Sequence, residues 1–182
     1  MRRINNQKGF TLVEIAIVLV IIGLLLGALL KGQEMIKSAK IKRVVKQADE
    51  IRAAALTYED LQRYLPGDDP APILPGVAGN GNGQIAGAGE IAQVFIHLQA
   101  KNLIAGSYTV ANPSPTHALG GTASISWVAV QGLTTHWIQF TTMPGTDAQT
   151  IDTSYDDGNY LTGSIRGSAA YTTATVTLST QF

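Results

Sequence analysis

From Phe10 to Leu30 the chain reads FTLVEIAIVLVIIGLLLGALL, apolar on every side and broken by a single charge, Glu14. A helix of that length rises about 30 Å, the thickness of a bilayer's hydrocarbon core. Being apolar all round, it suits lipid or a fully buried bundle rather than a half-exposed surface position. After Lys31 the pattern turns amphipathic. Ile41, Val44, Ala48, Ile51, Ala55 and Tyr58 recur at spacings of three and four, with Val45 and Ala54 widening the stripe and Lys and Glu between them. No proline interrupts before Pro66, so the spacing predicts one helix from Thr11 to Gln62, about 80 Å long. Leu65-Pro66-Gly67-Asp68-Asp69-Pro70 then stops it. A loop rich in Gly, Pro and Ala follows over 71–89. A short helix is expected from Glu90 to Lys101, with Ile91, Val94, Phe95 and Leu98 on one face. Strands are expected at 124–130, 136–142 and 170–178, with weaker ones between. Val128, Val130, Trp137 and the alternating Thr and Val of 172–178 suit a half-buried antiparallel sheet packed on the helix stripe.

Charge sharpens the reading of the apolar run. Arg2, Arg3 and Lys8 precede it, which by the positive-inside rule holds the short N-terminus in the cytoplasm and sends the rest across. A secretory signal would have a shorter apolar region ending in a small-residue cleavage site, whereas here the run passes straight into Lys31-Gly32-Gln33-Glu34. A plain single-pass anchor is the other rival. Neither accounts for Glu14: a charge inside a membrane helix costs about 2.5–3.5 kcal/mol and marks function.

Lys8-Gly9-Phe10-Thr11-Leu12-Val13-Glu14, followed by an aliphatic run, resembles the prepilin signature of type IV pilins and type II secretion pseudopilins. The resemblance is close over residues 8–30 and looser to Leu65. It implies a leader, residues 1–9, removed by a prepilin peptidase between Gly9 and Phe10, with Phe10 then N-methylated. It also implies that Glu14 meets the N-terminal ammonium of a neighbouring subunit in a helical filament. Pairing the two charges offsets much of the cost of removing each from water, so a subunit docked out of step leaves both stranded. Glu14 could equally pair with Phe10 of its own chain, one helical turn away. Many pilins carry a proline about twenty residues into the mature helix; Lys31 stands there instead. Gly23, Gly27 and Gly32 are then the expected places for local unwinding, or, for Gly23 and Gly27, for close helix packing. The implied fold is α+β and ladle-shaped: a long helix (10–30 for membrane or filament core, 31–65 as amphipathic stem) on a small antiparallel-sheet head (66–182) in the periplasm.

Net charge is zero but unevenly spread. Residues 31–63 are +3 and residues 64–182 are −5. Such a stem and head either complement each other between stacked subunits or are simply solvated faces. There is no cysteine, which excludes a disulfide, a thiolate nucleophile and cysteine-bound metal. His97, His117 and His136 are scattered, with no metal-binding pair and no Ser/His/Asp grouping. His97 reads as a satisfied, partly buried side chain. The run Gly79-Asn80-Gly81-Asn82-Gly83 lacks the preceding strand and the Lys-Ser/Thr of a phosphate cradle, so it reads as a turn. No enzyme is expected.

Asp152, Asp156, Asp157 and Asn159 around Gly158 offer hard oxygen ligands of the kind calcium takes. Major pseudopilins have a calcium site near the C-terminus, in place of the disulfide that closes many pilin heads. The spacing here does not fit the EF-hand pattern, and an exposed Asp-Asp-Gly turn is the competing reading. No other cofactor is expected.

The expected function is a structural subunit of a type IV pilus-like filament, serving adhesion, twitching or DNA uptake. The expected partners are like subunits, the peptidase, an inner-membrane assembly platform and, before assembly, lipid; nucleic acid enters only with DNA uptake. A pseudopilin of type II secretion is the alternative. A third is a membrane-anchored periplasmic binding protein, with Trp127, Trp137 and the tyrosines lining a ligand surface or, more cheaply, packing in the core.

Overall fold

The computed structural model describes residues 9–71 and 79–182. Its order is α1 (Leu12–Gln62), α2 (Gly87–Ala100), β1 (Ala123–Val130), β2 (Leu133–Pro144), α3 (Gly145–Tyr155), β3 (Ile165–Gly167) and β4 (Thr175–Gln181). The strands form one antiparallel sheet in the order β1-β2-β4-β3, giving the α+β, pilin-like architecture. The chain divides into two compact units, one ending at Ala39 and one running Lys40–Phe182.

In the first unit the turns of α1 after Thr11 are exposed throughout, Leu12, Leu24 and Leu30 at 92%, 70% and 66% among them. Such a surface is stable only where something apolar covers it. The helix continues without a break through Gly23, Gly27 and Gly32.

In the second unit α1 turns the expected stripe inward: Ile41, Val44, Ala48, Ile51, Ala54, Ala55 and Tyr58 are buried. They pack with Val94, Phe95 and Leu98 of α2 and with Ile125, Ile138, Phe140 and Leu178 of the sheet. Each fully buried aliphatic or aromatic side chain contributes about 1.5–3 kcal/mol. Lys46–Glu50 and Arg52–Asp49 pairs occupy the outer face, where such contacts add little. α1 ends at Arg63, which enters the left-handed region at φ 69° while its N–H donates to the Glu59 carbonyl at 2.7 Å. This is the terminal turn that a glycine usually makes.

The sheet departs from expectation in several places. β1 and β2 form a hairpin through Gln131 and Gly132, both at positive φ, and β2 runs longer than predicted, to Pro144. A bulge at Phe140/Met143, with Thr142 at φ 56°, bends it. The bulge turns the Thr141 carbonyl toward Gly121, where any Cβ would collide, so that position demands glycine (φ 98°). Val128 is outward-facing and 37% exposed, contrary to the alternation read from sequence; Ile125 takes the inward role. The last strand starts at Thr175 rather than 170, because Ala170–Thr173 form a turn closed by the Thr173 amide on the Ala170 carbonyl at 3.0 Å. α3 was not foreseen, and the short β3 falls among the weaker strands expected between 142 and 170. α2 begins at Gly87, three residues early, and residues 72–78 of the expected loop lie outside the described residues.

Candidate processing and assembly site

Gly9, Phe10 and Thr11 lie in exposed, non-helical backbone directly before α1. The reason is local. Thr11 is the N-cap, and its side chain and Glu14 satisfy each other's orphan amides. The Glu14 N–H donates to Thr11 Oγ1 at 3.2 Å, while Thr11 N–H and Oγ1–H both donate to Glu14 Oε2 at 2.8 Å. Thr11-Leu12-Val13-Glu14 is thus a capping box, a pattern visible in sequence as Thr-x-x-Glu before an apolar run. The sequence reading singled out Glu14 for its charge and passed over Thr11, which fixes where the helix begins. The box holds the Gly9–Phe10 peptide outside the helix, and Phe10 is 84% exposed. Only Oε2 is engaged; Oε1 has no partner among these bonds.

A Cβ added at Gly9, Gly23, Gly27 or Gly32 would meet nothing within 4 Å. The chain's own packing therefore does not require these glycines, though each helical one costs about 1 kcal/mol relative to alanine.

Residues 4–30 match the family model of the prokaryotic N-terminal methylation motif, the signal of type IV prepilins and pseudopilins. Neither a curated protein nor a solved structure gives a match. The chain thus carries a prepilin-type precursor signal on a helix long and apolar enough to cross a membrane, as an inner-membrane anchor would.

In the head, the structure brings Asp152, Asp156 and Asp157 together, with carboxylate oxygens within 4.8 Å of one another. Asp152 is fully buried at the end of α3. It accepts from Tyr171 O–H at 2.6 Å and from the Gly158 N–H at 3.3 Å. Burial raises its pKa, with the neighbouring Asp157 and Asp156 adding to the rise against those two hydrogen bonds. Asp156 accepts from the Ile165 N–H at 2.7 Å, and Gly163 passes so close that any side chain there would strike its carboxylate. Asp157 accepts from Thr162 Oγ1–H at 2.6 Å and the Asn159 N–H at 2.9 Å, which lower its pKa. Asn159 caps the Leu161 amide at 3.2 Å. These carboxylates fold the 156–165 loop around themselves.

The glycine run is a turn, and its amides already hold an anion. Asp68, 1% exposed, accepts from the Gly81 (2.8 Å), Asn82 (3.3 Å) and Gly83 (2.7 Å) N–H groups. Successive amides converging on one carboxylate form a nest filled from within the chain. Glu90 accepts in the same way from Asn80 and from the Ala86 N–H. Sequence reasoning missed both roles.

All three histidines are structural. His117 Nε2–H donates to the Thr141 carbonyl at 2.8 Å. His97 and His136 are buried and each accepts a backbone N–H. Trp137 and Tyr58 are fully buried, so they pack in the core and line no surface; Arg166 lies over the Trp137 ring at 5.7 Å.

Proposed function

We propose that this chain is the structural subunit of a type IV pilus-like filament, cut by a prepilin peptidase at Gly9–Phe10, N-methylated on Phe10 and polymerised through α1. The observation that carries the reading is the coincidence of three things at one place: the methylation motif at 4–30, an exposed non-helical Gly9–Phe10 bond, and a following helix whose apolar turns have no cover among the described residues. Lipid covers that surface before assembly and sister helices cover it afterwards. The free Oε1 of Glu14 is the acceptor for a neighbour's N-terminal ammonium, and Oε2 stays with Thr11. A pseudopilin of a secretion system uses the same parts, and a surface filament distinguishes the two. For the anchored binding protein, the aromatic candidates are divided: Trp137, Tyr58 and Tyr171 are buried, Trp127 is half-buried, and Tyr64 and Tyr155 are exposed. The methylation motif and the apolar helix are features of a subunit that acts by assembly.

Mass spectrometry of the N-terminus, on protein from membranes of the native host, tests this reading. A chain beginning at N-methylated Phe10 supports it; an intact leader in cells with an active peptidase overturns it.

Calcium at Asp152, Asp156 and Asp157 is a further part of the proposal. The cluster offers three hard carboxylates that repel one another, and a divalent cation would relieve that repulsion and pin the 156–165 loop. Calorimetry of the full chain in detergent, after chelation, should show calcium uptake that Asp157→Asn weakens; no heat at millimolar calcium would dismiss the ion.

A further inference from the structure

Two described stretches connect α1 to α2, 65–71 and 79–86, and they are knitted together. Asp68 holds the amides of Gly81, Asn82 and Gly83, and the Gly79 N–H donates to the Asp69 carbonyl at 3.0 Å. Each stretch is also tied to the rest of the head, 65–71 by Tyr58 O–H on Asp69 at 2.9 Å, and 79–86 by the Trp127 N–H on the Ile85 carbonyl at 2.7 Å and by Glu90. Each makes one bond to an imidazole. The Gly67 N–H donates to His97 Nδ1 at 3.1 Å, and the Ile85 N–H donates to His136 Nε2 at 3.1 Å.

Both bonds need a bare ring nitrogen. With Nδ1 accepting, the His97 proton sits on Nε2, which faces Gln93 Oε1 at 3.1 Å. With Nε2 accepting, the His136 proton sits on Nδ1. Adding a second proton to either ring sets N–H against N–H at the anchor.

We propose that His97 and His136 form a paired acid-labile anchor: protonating the two imidazoles breaks their bonds to the Gly67 and Ile85 amides and loosens the backbone there, while the α1 stripe around Ile51 stays packed. The proposal stands on this geometry and holds whether or not the chain forms filaments.

The surroundings favour the neutral rings. Both are buried, which lowers each pKa from its ordinary 6.5. For His97, Asp69 opposes that shift and Lys101 assists it; Tyr58 stacks on the ring at 5.7 Å, and its O–H donates to Asp69 at 2.9 Å while its oxygen lies 3.3 Å from Nδ1. For His136, Asp68 opposes it, and the flanking rings of Trp127 and Phe182 carry no charge. The native state therefore refuses protons that the released state binds, so the anchor is secure above the ordinary histidine pKa and weakens as pH falls through it.

The test is residue-resolved amide exchange on the full chain in detergent at pH 7.5 and 5.0, corrected for intrinsic rates. If both rings stay neutral while anchored, linkage multiplies the opening equilibrium at Gly67 and Ile85 about a thousandfold over that range, against about thirtyfold for one histidine. The Ile51 amide, in the core of α1, should keep its protection. Replacing both rings by His97→Gln and His136→Gln, which keep an acceptor without titrating, should flatten the response. Unchanged protection at the two amides overturns the proposal. So does a thirtyfold change confined to one of them, or an equal loss at Ile51, which would be global acid unfolding.

Discussion

Replacing Asp68 with alanine tests the reading of the 79–83 run as a nest filled from within. The carboxylate is 1% exposed and accepts three amides, two of them at 2.8 Å or less. Hydrogen bonds to a charged group are worth about 1.5–3 kcal/mol each, and a buried donor left unpaired costs about 1–3 kcal/mol. The three bonds share one partner and do not add fully, so we expect a loss of about 3–5 kcal/mol. For a chain of this size each 1 kcal/mol lowers the midpoint by about 2–4 °C, giving a fall of roughly 10 °C. The assay is urea and thermal unfolding of the full chain in mild detergent, followed by the fluorescence of buried Trp137. Asp60→Ala, on the exposed face of the last turns of α1, is the control and should change little. Asp68→Asn should fall between, because an amide keeps one acceptor oxygen but turns an NH2 group toward the donors. A loss under about 1 kcal/mol for alanine would refute the reasoning, since orphaned buried amides cannot be that cheap.

Glu14→Gln separates charge from capping, because glutamine can still close the box with Thr11. The head should unfold at the same midpoint while filament yield, scored by shearing and electron microscopy, collapses; undiminished filaments would remove the ion pair from the mechanism. Gly27→Ala meets nothing within 4 Å and should raise the intrinsic helix stability of α1 by about 1 kcal/mol. Reduced filament yield in that variant would show that copies of the chain need the glycine, and normal yield would show that they do not. Tyr171→Phe removes the O–H that donates to buried Asp152 and should cost about 1–3 kcal/mol in the same unfolding assay. Because Asp152 has a raised pKa in the folded state, native protein binds its proton more tightly than unfolded chain does. Its contribution is thus present at low pH and declines as pH rises through the ordinary carboxylate range, a slope that Asp152→Asn should remove.

What was legible in sequence follows a physical divide. The stripe from Ile41 to Tyr58 was readable because one continuous helix converts spacing directly into facing, with no tertiary information needed. The signal at Gly9, Phe10 and Glu14 was readable because a charge in an apolar run is conspicuous against any background. The sheet was harder. Val128 looked inward by alternation, yet Ile125 and Ser126 are both buried and the period-two rule fails across the middle of β1. The start of β4 depends on a turn at 170–173 that threonine-rich sequence does not advertise. α3 is weakly amphipathic and polar, with Thr146, Thr150 and Thr153 on it, so only its contacts hold it helical. Asp68 and Glu90 escaped notice for a different reason: their partners are mainly backbone amides, those of Asp68 lie 13 to 15 residues away, and a backbone amide leaves no mark in a sequence.

The capping box bears on what cleavage would do to the chain. Hydrolysis at Gly9–Phe10 falls outside α1, so the helix enters and leaves the reaction unaltered. What changes is electrostatic. The reaction creates a cation beside the positive end of a 51-residue dipole, the end at which a cation is least welcome. The nearest carboxylate is Glu14, and one of its oxygens is already committed to Thr11. A freshly cut subunit would therefore start with an ammonium that its own helix repels, and the oxygen that Thr11 leaves free on a Glu14 carboxylate, its own or a second chain's, would be the natural place for that charge to go.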